Sequence, residues 1–264
     1  MFNRGATVST AYVVDADGTI IRGLDTTILE RLMLDFYDTQ APLRKIGLAL
    51  HYVPVKLFKS FAPYFGKWFG EEETTGETTS LQVFNIFMLR KAGMPLIFVK
   101  ESAKEYAKYI RPKHVEALKK CKGDLYIVSA EPVELLEAIV KEAGLSDYVK
   151  KIYGNRFKVR DGIIVGFEKK GLFAGMRGKY RGMEKIILRG YHKIRAIGDS
   201  VADTGLFDEI YFKEELKDEI KETLGPHHNF HIRPYTFDDS PKSVIESVSS
   251  KHGSVVKDLI EIFK

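Results

Sequence analysis

Two aspartates spaced two residues apart, Asp15 and Asp17, follow a short apolar stretch near the start of the chain. Alternate residues of an extended chain share a face, so both carboxylates can point into one crevice. Two close carboxylates repel each other unless a proton or a cation lies between them. A hard, oxygen-seeking ion such as Mg²⁺ would relieve that repulsion, so the pair indicates a magnesium site.

Two other interpretations of this acidic segment compete with a metal site. Aspartate and glycine are common in turns, so a capped turn stays open for the segment taken alone. A calcium-binding EF-hand loop starting at Asp15 would need glycine at its sixth position, which is Ile20. No helix–loop–helix pattern surrounds the segment either, and we therefore reject the EF-hand interpretation.

Four more polar residues downstream strengthen the chemical interpretation. Asp199 and Asp203 supply two further carboxylates after another apolar stretch, Ser129 ends a third such stretch, and Lys179 enters a helical pattern. Each alone has an ordinary explanation, because a serine after a strand is usually a helix cap and an isolated lysine is usually solvated. In this order, and at strand ends, they indicate one shared site.

The elements that must position these residues alternate along the chain. Three apolar runs, 12–14, 125–128 and 194–197, predict buried parallel strands, and the patterns at 104–120 and 132–143 predict helices between them. This alternation predicts an α/β fold with a doubly wound, Rossmann-like parallel sheet. Ligands of such sheets bind at the carboxyl ends of the strands, where the polar residues lie.

Other segments depart from the alternation. The stretch 156–165 predicts a β-hairpin with Asp161-Gly162 at its turn, and the tail 242–264 predicts one or two closing helices. The histidine-rich stretch 227–231 lacks the nearby cysteine or carboxylates of a zinc site, so a structural or surface role is favoured, although metal binding stays open.

The segment 23–94 is helical in pattern and rich in aromatic residues, which predicts an inserted helical domain within a core formed by 1–22 and 95–264. Its part 39–70 contains basic and aromatic residues but no aspartate or glutamate. Three interpretations stay open for this part: the inserted domain's own core, contact with a bulky substrate, or a surface that binds a membrane or a partner.

These motifs resemble those of the haloacid-dehalogenase-like superfamily, in its phosphoserine phosphatase-like branch. The resemblance covers roughly residues 9–22 and 97–215. Phosphoserine-specific members often have Ser-Gly-Gly at the second motif, where this chain has Ser-Ala-Glu at 129–131. The four matches are Asp-x-Asp-x-Thr at 15–19, the strand-ending Ser129, the helix-opening Lys179, and Gly-Asp-x-x-x-Asp at 198–203. Lys185 and Lys170 are lesser candidates for the third of these motifs.

The resemblance implies a Mg²⁺-dependent phosphatase with a helical cap closing over the site. Asp15 would be the nucleophile that forms an aspartyl-phosphate, and Asp17 the general acid and base. The implied magnesium ligands are Asp15, Asp199 and the backbone carbonyl of Asp17, with Asp203 holding either the metal or its waters. The implied phosphate-binding residues are Ser129, Ala130 and Lys179.

Three other functions are weighed against hydrolysis. A phosphomutase or phosphotransferase would use the same core, and a response-regulator-like phosphoacceptor would lack the acid at position 17. Nucleic-acid binding is not expected, because the sequence has no zinc-finger or ribonucleoprotein motif. We therefore expect a small phosphorylated molecule as the ligand.

The composition is that of an ordinary globular protein. The 264 residues are 44% hydrophobic and 29% charged, with a formal net charge of +5 that permits anionic ligands. The single cysteine, Cys121, excludes an internal disulfide, and the first residues have no signal-peptide pattern, so we expect a cytoplasmic protein.

Overall fold

The computed structural model describes residues 10–24, 27–42, 44–45, 92–168 and 175–263. Within these residues lie a six-stranded and a two-stranded sheet. The strands are β1 (Thr10–Val14), β2 (Asp124–Pro132), β3 (Val149–Asn155), β4 (Phe157–Arg160), β5 (Ile163–Phe167), β6 (Lys193–Ile197), β7 (His231–Phe237) and β8 (Ser254–Val256).

Helices connect and cover these strands. They are α1 (Ile28–Asp38), α2 (Leu96–Ala107), α3 (Pro112–Lys119), α4 (Val133–Glu142), α5 (Gly175–Ile187), α6 (Glu209–Glu215), α7 (Lys217–Leu224) and α8 (Lys242–Ser250), with 3₁₀ helices at Val201–Leu206 and Leu259–Glu261.

The large sheet is parallel throughout, with strand order β3-β2-β1-β6-β7-β8. Side chains of β1 alternate between two cores: Tyr12 and Val14 pack on one face of the sheet, and Ala11 and Val13 pack on the other. Helices cover both faces, which is why the central strands are apolar on both sides. The predicted doubly wound α/β fold is confirmed.

The hairpin prediction is also confirmed. Strands β4 and β5 pair antiparallel across Asp161 and Gly162, and both turn residues have positive φ, of 51° and 77°. This is the conformation that a two-residue hairpin turn requires, and Asp-Gly adopts it readily.

The prediction of one helix over 104–120 is wrong. The helix α2 ends at Ala107, and α3 begins at Pro112, which occupies the first turn. Proline lacks a backbone N–H and forces the preceding residue into an extended conformation, as seen at Arg111 with ψ of 137°.

The tail prediction is right for α8 but incomplete. After α8 the chain forms β8, which pairs with residues 235–237 of β7 at the edge of the sheet. A three-residue strand is too short to produce a readable alternation in the sequence.

The predicted inserted domain, 23–94, lies mostly outside the described residues, and so does most of its basic and aromatic part, 39–70. Its division from the core remains a prediction. The described helix α1 buries Ile28, Leu29, Leu32 and Phe36 in the core cluster beside β1. Among the helices of the described residues, none is both long enough and apolar enough to span a bilayer.

Candidate active site

The carboxyl ends of three adjacent strands bring the acidic residues together. Strand β1 lies between β2 and β6, and Val14 is in register with both Ile127 and Ile197. The residues that follow these positions, Asp15 and Asp199 among them, therefore leave the sheet on the same side, at the carboxyl ends of the strands. The N–H of Asp15 donates to the carbonyl of Ile197 at 3.0 Å, which fixes the start of this segment.

Lys179 reaches this edge from α5 and is buried there. Its ammonium group contacts the carboxylate of Asp15, lies 2.8 Å from Oδ1 of Asp203, and donates to the carbonyl of Val128 at 2.9 Å. Burial lowers the pKa of Lys179, but the charges of Asp15 and Asp203 outweigh burial, so the net pKa is raised. The lysine is therefore a permanent positive charge inside the site.

Asp203 is held rigidly by the start of the 3₁₀ helix at 201–206. Its Oδ2 accepts hydrogen bonds from the N–H of Asp199 at 3.0 Å, the N–H of Ser200 at 2.9 Å and the hydroxyl of Ser200 at 2.8 Å. The side chain is fully buried. Since Oδ2 is occupied by these donors, Oδ1 is the oxygen that faces Lys179.

Asp15, Asp199 and Asp203 each offer a carboxylate oxygen, and these oxygens lie within 4.8 Å of one another. Such a set of hard oxygen donors suits a divalent cation such as Mg²⁺. Two glycines give the carboxylates room, because a Cβ at Gly18 would collide with the Asp199 carboxylate and one at Gly198 would collide with Asp203. The residues therefore fit the metal that the sequence predicts, with Asp17 outside this set of side chains.

Asp17 and Asp199 both hold protons more tightly than ordinary aspartates do. Burial, with the nearby charge of Asp199, raises the pKa of Asp17 to about 7. Burial, with the charge of Asp203, raises the pKa of Asp199 to about 6, although Thr19 opposes this by donating to Asp199 Oδ1 at 2.8 Å. Burial and Asp203 likewise raise the pKa of Asp15. Each shift reflects carboxylates crowded together without enough compensating charge.

Ser129 and Ala130 lie beside this cluster near the carboxyl end of β2, which continues through an irregular pairing to Pro132 and does not end at Ser129 as predicted. Ser129 is buried, follows the carbonyl that Lys179 contacts, and accepts the N–H of Glu131 at 3.2 Å. The side-chain amide of Asn155 donates to the carbonyl of Ala130, which ties this segment to β3. The six side chains predicted at the site thus lie near the carboxyl ends of the central strands, although direct contacts join only some of them.

Glu131 is a site residue that the sequence analysis did not predict. Its side chain is buried, the N–H of Leu29 at the start of α1 donates to it, and no described residue bonds its Oε2. Burial and the charges of Asp17 and Asp15 raise its pKa well above the ordinary value. The signal was present in the sequence as a glutamate where the related motif often has glycine.

The sequence matches the family model of haloacid dehalogenase-like hydrolases over residues 12–208, and the chain belongs to this family. Comparison with curated protein sequences gives no significant match. The resemblance stated from the motifs is therefore confirmed at the level of the family.

Solved structures share the fold at low sequence identity. A protein of unknown function from Bordetella pertussis Tohama I is 16% identical, with a TM-score of 0.58 and coverage of 96% of this chain and 100% of that one. A phospho-aspartyl intermediate analogue of phosphoserine phosphatase is 17% identical, with a TM-score of 0.53 and coverage of 96% and 97%. Cytosolic 5′-nucleotidase IIIB bound to cytidine is 16% identical, with a TM-score of 0.52 and coverage of 96% and 86%.

Proposed function

We propose that this chain is a Mg²⁺-dependent phosphatase that hydrolyses a small phosphate monoester through an aspartyl-phosphate on Asp15. The observation that carries the proposal is the convergence of Asp15, Asp199 and Asp203 with the buried ammonium of Lys179. A phosphoserine phosphatase and a 5′-nucleotidase among the structures with this fold support phosphate monoesters as the substrate class.

The metal would be held by the carboxylates of Asp15, Asp199 and Asp203. The resemblance to the family adds the backbone carbonyl of Asp17 as a further ligand. When bound, Mg²⁺ supplies positive charge that draws the anionic phosphoryl group towards an anionic nucleophile. Thr19 orients Asp199 through its 2.8 Å hydrogen bond, and the donors around Oδ2 orient Asp203. Such supporting hydrogen bonds fix the direction in which ligand oxygens point.

The side chains divide the chemistry between them. Asp15 attacks the phosphorus atom, the bond from phosphorus to the ester oxygen breaks, and Asp17 gives its proton to the leaving oxygen. A water molecule then attacks the aspartyl-phosphate, Asp17 takes up the proton of that water, and Asp15 is released with free phosphate. Lys179 neutralises charge on the phosphoryl oxygens, and the Ser129 hydroxyl and the Ala130 backbone amide donate to them.

Burial, the largest cause of the raised pKa of Asp17, acts whether or not a metal neutralises Asp199, and the raised pKa suits this double role. A general acid works best when its pKa lies near the operating pH, because it must both donate and accept the proton. An ordinary aspartate would already be deprotonated at neutral pH and would make a poor acid. We propose the cytoplasm as the location, with small phosphorylated metabolites rather than nucleic acid as substrates.

The test is release of phosphate from p-nitrophenyl phosphate with Mg²⁺ and with a chelator. We expect turnover only with the metal, and we expect Asp15→Asn to reduce it to background while thermal unfolding stays cooperative. Asp147→Asn, the same change at an exposed position, is the matched control and should keep full activity. Retention of more than a few per cent of activity by Asp15→Asn would remove Asp15 from the nucleophile role.

The same assay separates hydrolysis from phosphoryl transfer. A phosphatase yields one free phosphate for each alcohol released. A phosphomutase or phosphotransferase would yield less, because part of the phosphate would appear on an acceptor hydroxyl.

A further inference from the structure

A cavity of about 610 Å³ lies between β3 and the carboxyl-terminal half of α5. None of the six side chains described at the active site lines it, whereas Lys185, a lesser candidate for the third motif, does. Among the residues that the structure describes, four cationic side chains, Lys151, Arg156, Lys185 and Arg189, and one acidic side chain, Glu168, line the cavity. We call this cavity the basic cleft.

Three of the cations converge on one aromatic ring at the floor of the basic cleft. The ammonium of Lys151 lies 5.2 Å from the centroid of Tyr153, and that of Lys185 lies 5.6 Å from the same centroid. Arg189 donates from Nη2 to the hydroxyl of Tyr153 at 3.3 Å. The positive charges of Lys151, Lys185 and Arg189 therefore all lie close to the side chain of Tyr153.

The positive charge of the basic cleft exceeds what its own acidic residue can balance. Arg156 forms ion pairs with two glutamates of α4, Glu134 at 3.4 Å and Glu137 at 3.7 Å. Lys151 and Arg189 have no carboxylate within ion-pair distance among the described residues. Both are exposed on the edge strand and the helix end, so a ligand can reach them. Like charges held close together repel, and an anion placed between them would relieve that repulsion.

We propose that the basic cleft binds a small anion that carries two or more phosphate groups. An arginine guanidinium group can donate two parallel hydrogen bonds to two phosphate oxygens, and lysine ammonium groups add positive charge around them. The described lining side chains carry a formal net charge of +3, and exposed Arg156 keeps part of its charge available because its ion pairs with α4 are long and solvated. One phosphate, with at most two negative charges, does not balance this charge. The cavity volume is in the range that encloses a small ligand.

The basic cleft is separate from the active site but borders it. Gly154 lies in its wall, and a side chain there would collide with the carbonyl oxygen of Glu131 and crowd that of Ser129. The segment 129–131 is therefore adjacent to both the active site and the basic cleft. Binding must therefore be measured where the active site attracts no anion, which is the case in chelator, because its carboxylates then repel anions.

The experiment is calorimetric titration of the whole chain with inorganic pyrophosphate and tripolyphosphate in chelator, with orthophosphate for comparison. We expect saturable binding that strengthens from orthophosphate to tripolyphosphate and weakens with salt. Lys151→Gln and Arg189→Gln should each weaken pyrophosphate binding about fivefold or more. Lys150→Gln removes the same charge from the neighbouring residue, which pairs with Asp124 instead, and should weaken binding less than about twofold.

Thermal unfolding checks that each variant is folded. If Arg189→Gln fails to fold, the pyrophosphate affinity of Lys151→Gln alone tests the proposal. Absence of pyrophosphate binding, or equal weakening by Lys150→Gln and Lys151→Gln, would overturn the proposal. A nucleotide diphosphate that competes with pyrophosphate would support it. Single-stranded RNA that binds more tightly than tripolyphosphate, with affinity rising with length, would assign the surface to nucleic acid and overturn it.

Discussion

Nζ of Lys179 lies 2.8 Å from Oδ1 of Asp203, and both side chains are almost completely buried. The contact joins α5 to the 3₁₀ helix that follows β6. The same ammonium contacts Asp15, so one lysine compensates two of the three carboxylates that face the proposed metal. The site is therefore held together electrostatically through a residue that also neutralises phosphate in the proposed mechanism.

Lys179→Met should destabilise the metal-free protein by about 3 kcal/mol, because removing one partner leaves buried carboxylates without compensation. Urea unfolding in chelator measures this. Lys141→Met, at an exposed position of α4, is the control and should change the free energy of unfolding by less than about 0.5 kcal/mol. Equal effects of the two changes would contradict the importance of the buried ion pairs.

Gly18→Ala should disrupt the site, whereas Gly23→Ala should cause only backbone strain. Both glycines have positive φ, of 78° and 92°, but a Cβ at Gly18 collides with the Asp199 carboxylate while one at Gly23 meets open space. We expect a loss of about 1 kcal/mol for Gly23→Ala and a clearly larger loss for Gly18→Ala. The thermal shift produced by Mg²⁺ should disappear in Gly18→Ala alone. Its survival there would argue against Asp199 as a metal ligand.

The stability of the metal-free protein should fall as pH rises through the range from 4 to 7. The ordinary pKa of aspartate is 3.8, whereas Asp17 has a pKa of about 7 and Asp199 one of about 6. Between these values the folded state keeps protons that the unfolded state has released. The stabilisation that these protons provide is therefore fully present below pH 3.8, and it is lost as the pH rises through the folded-state pKa values.

Urea unfolding in chelator at pH 5, 6, 7 and 8 measures this slope. Asp17→Asn should reduce the slope between about pH 4 and 7, and Asp199→Asn should reduce it between about pH 4 and 6, so only Asp17→Asn changes it between pH 6 and 7. An unchanged slope in both variants would show that these carboxyls titrate normally.

Glu131→Gln should raise the free energy of unfolding at pH 8 by about 1 kcal/mol, because burial, with the charges of Asp17 and Asp15, disfavours the carboxylate that the unfolded chain carries at this pH. The amide oxygen can still accept the N–H of Leu29. Glu134→Gln is the control: that carboxylate accepts the N–H of Phe157 at 3.1 Å and pairs with Arg156, so its loss should destabilise. If both changes destabilise equally, the Glu131 carboxylate is a satisfied structural group.

Sequence patterns predicted the elements in which one local signal dominates. The strand before Asp15 and the hairpin at Asp161-Gly162 follow from apolar runs and turn chemistry. The strand β7 escaped prediction because Pro234 interrupts it, and proline argues against a central strand. It is tolerated here, since β8 pairs only with residues 235–237 and Pro234 lies outside that pairing.

The sequence by itself determined which chemical groups are available and at which strand ends they leave the sheet, because backbone periodicity and turn chemistry are local properties. Only the tertiary structure decided which of those groups meet. Lys179 contacts Asp15 across 164 positions, and Thr19 bonds Asp199 across 180, through the order of the strands and the packing of α5. The burial of Glu131 and the crowding of cations around Tyr153 also depend on those long-range contacts, which no short sequence pattern encodes.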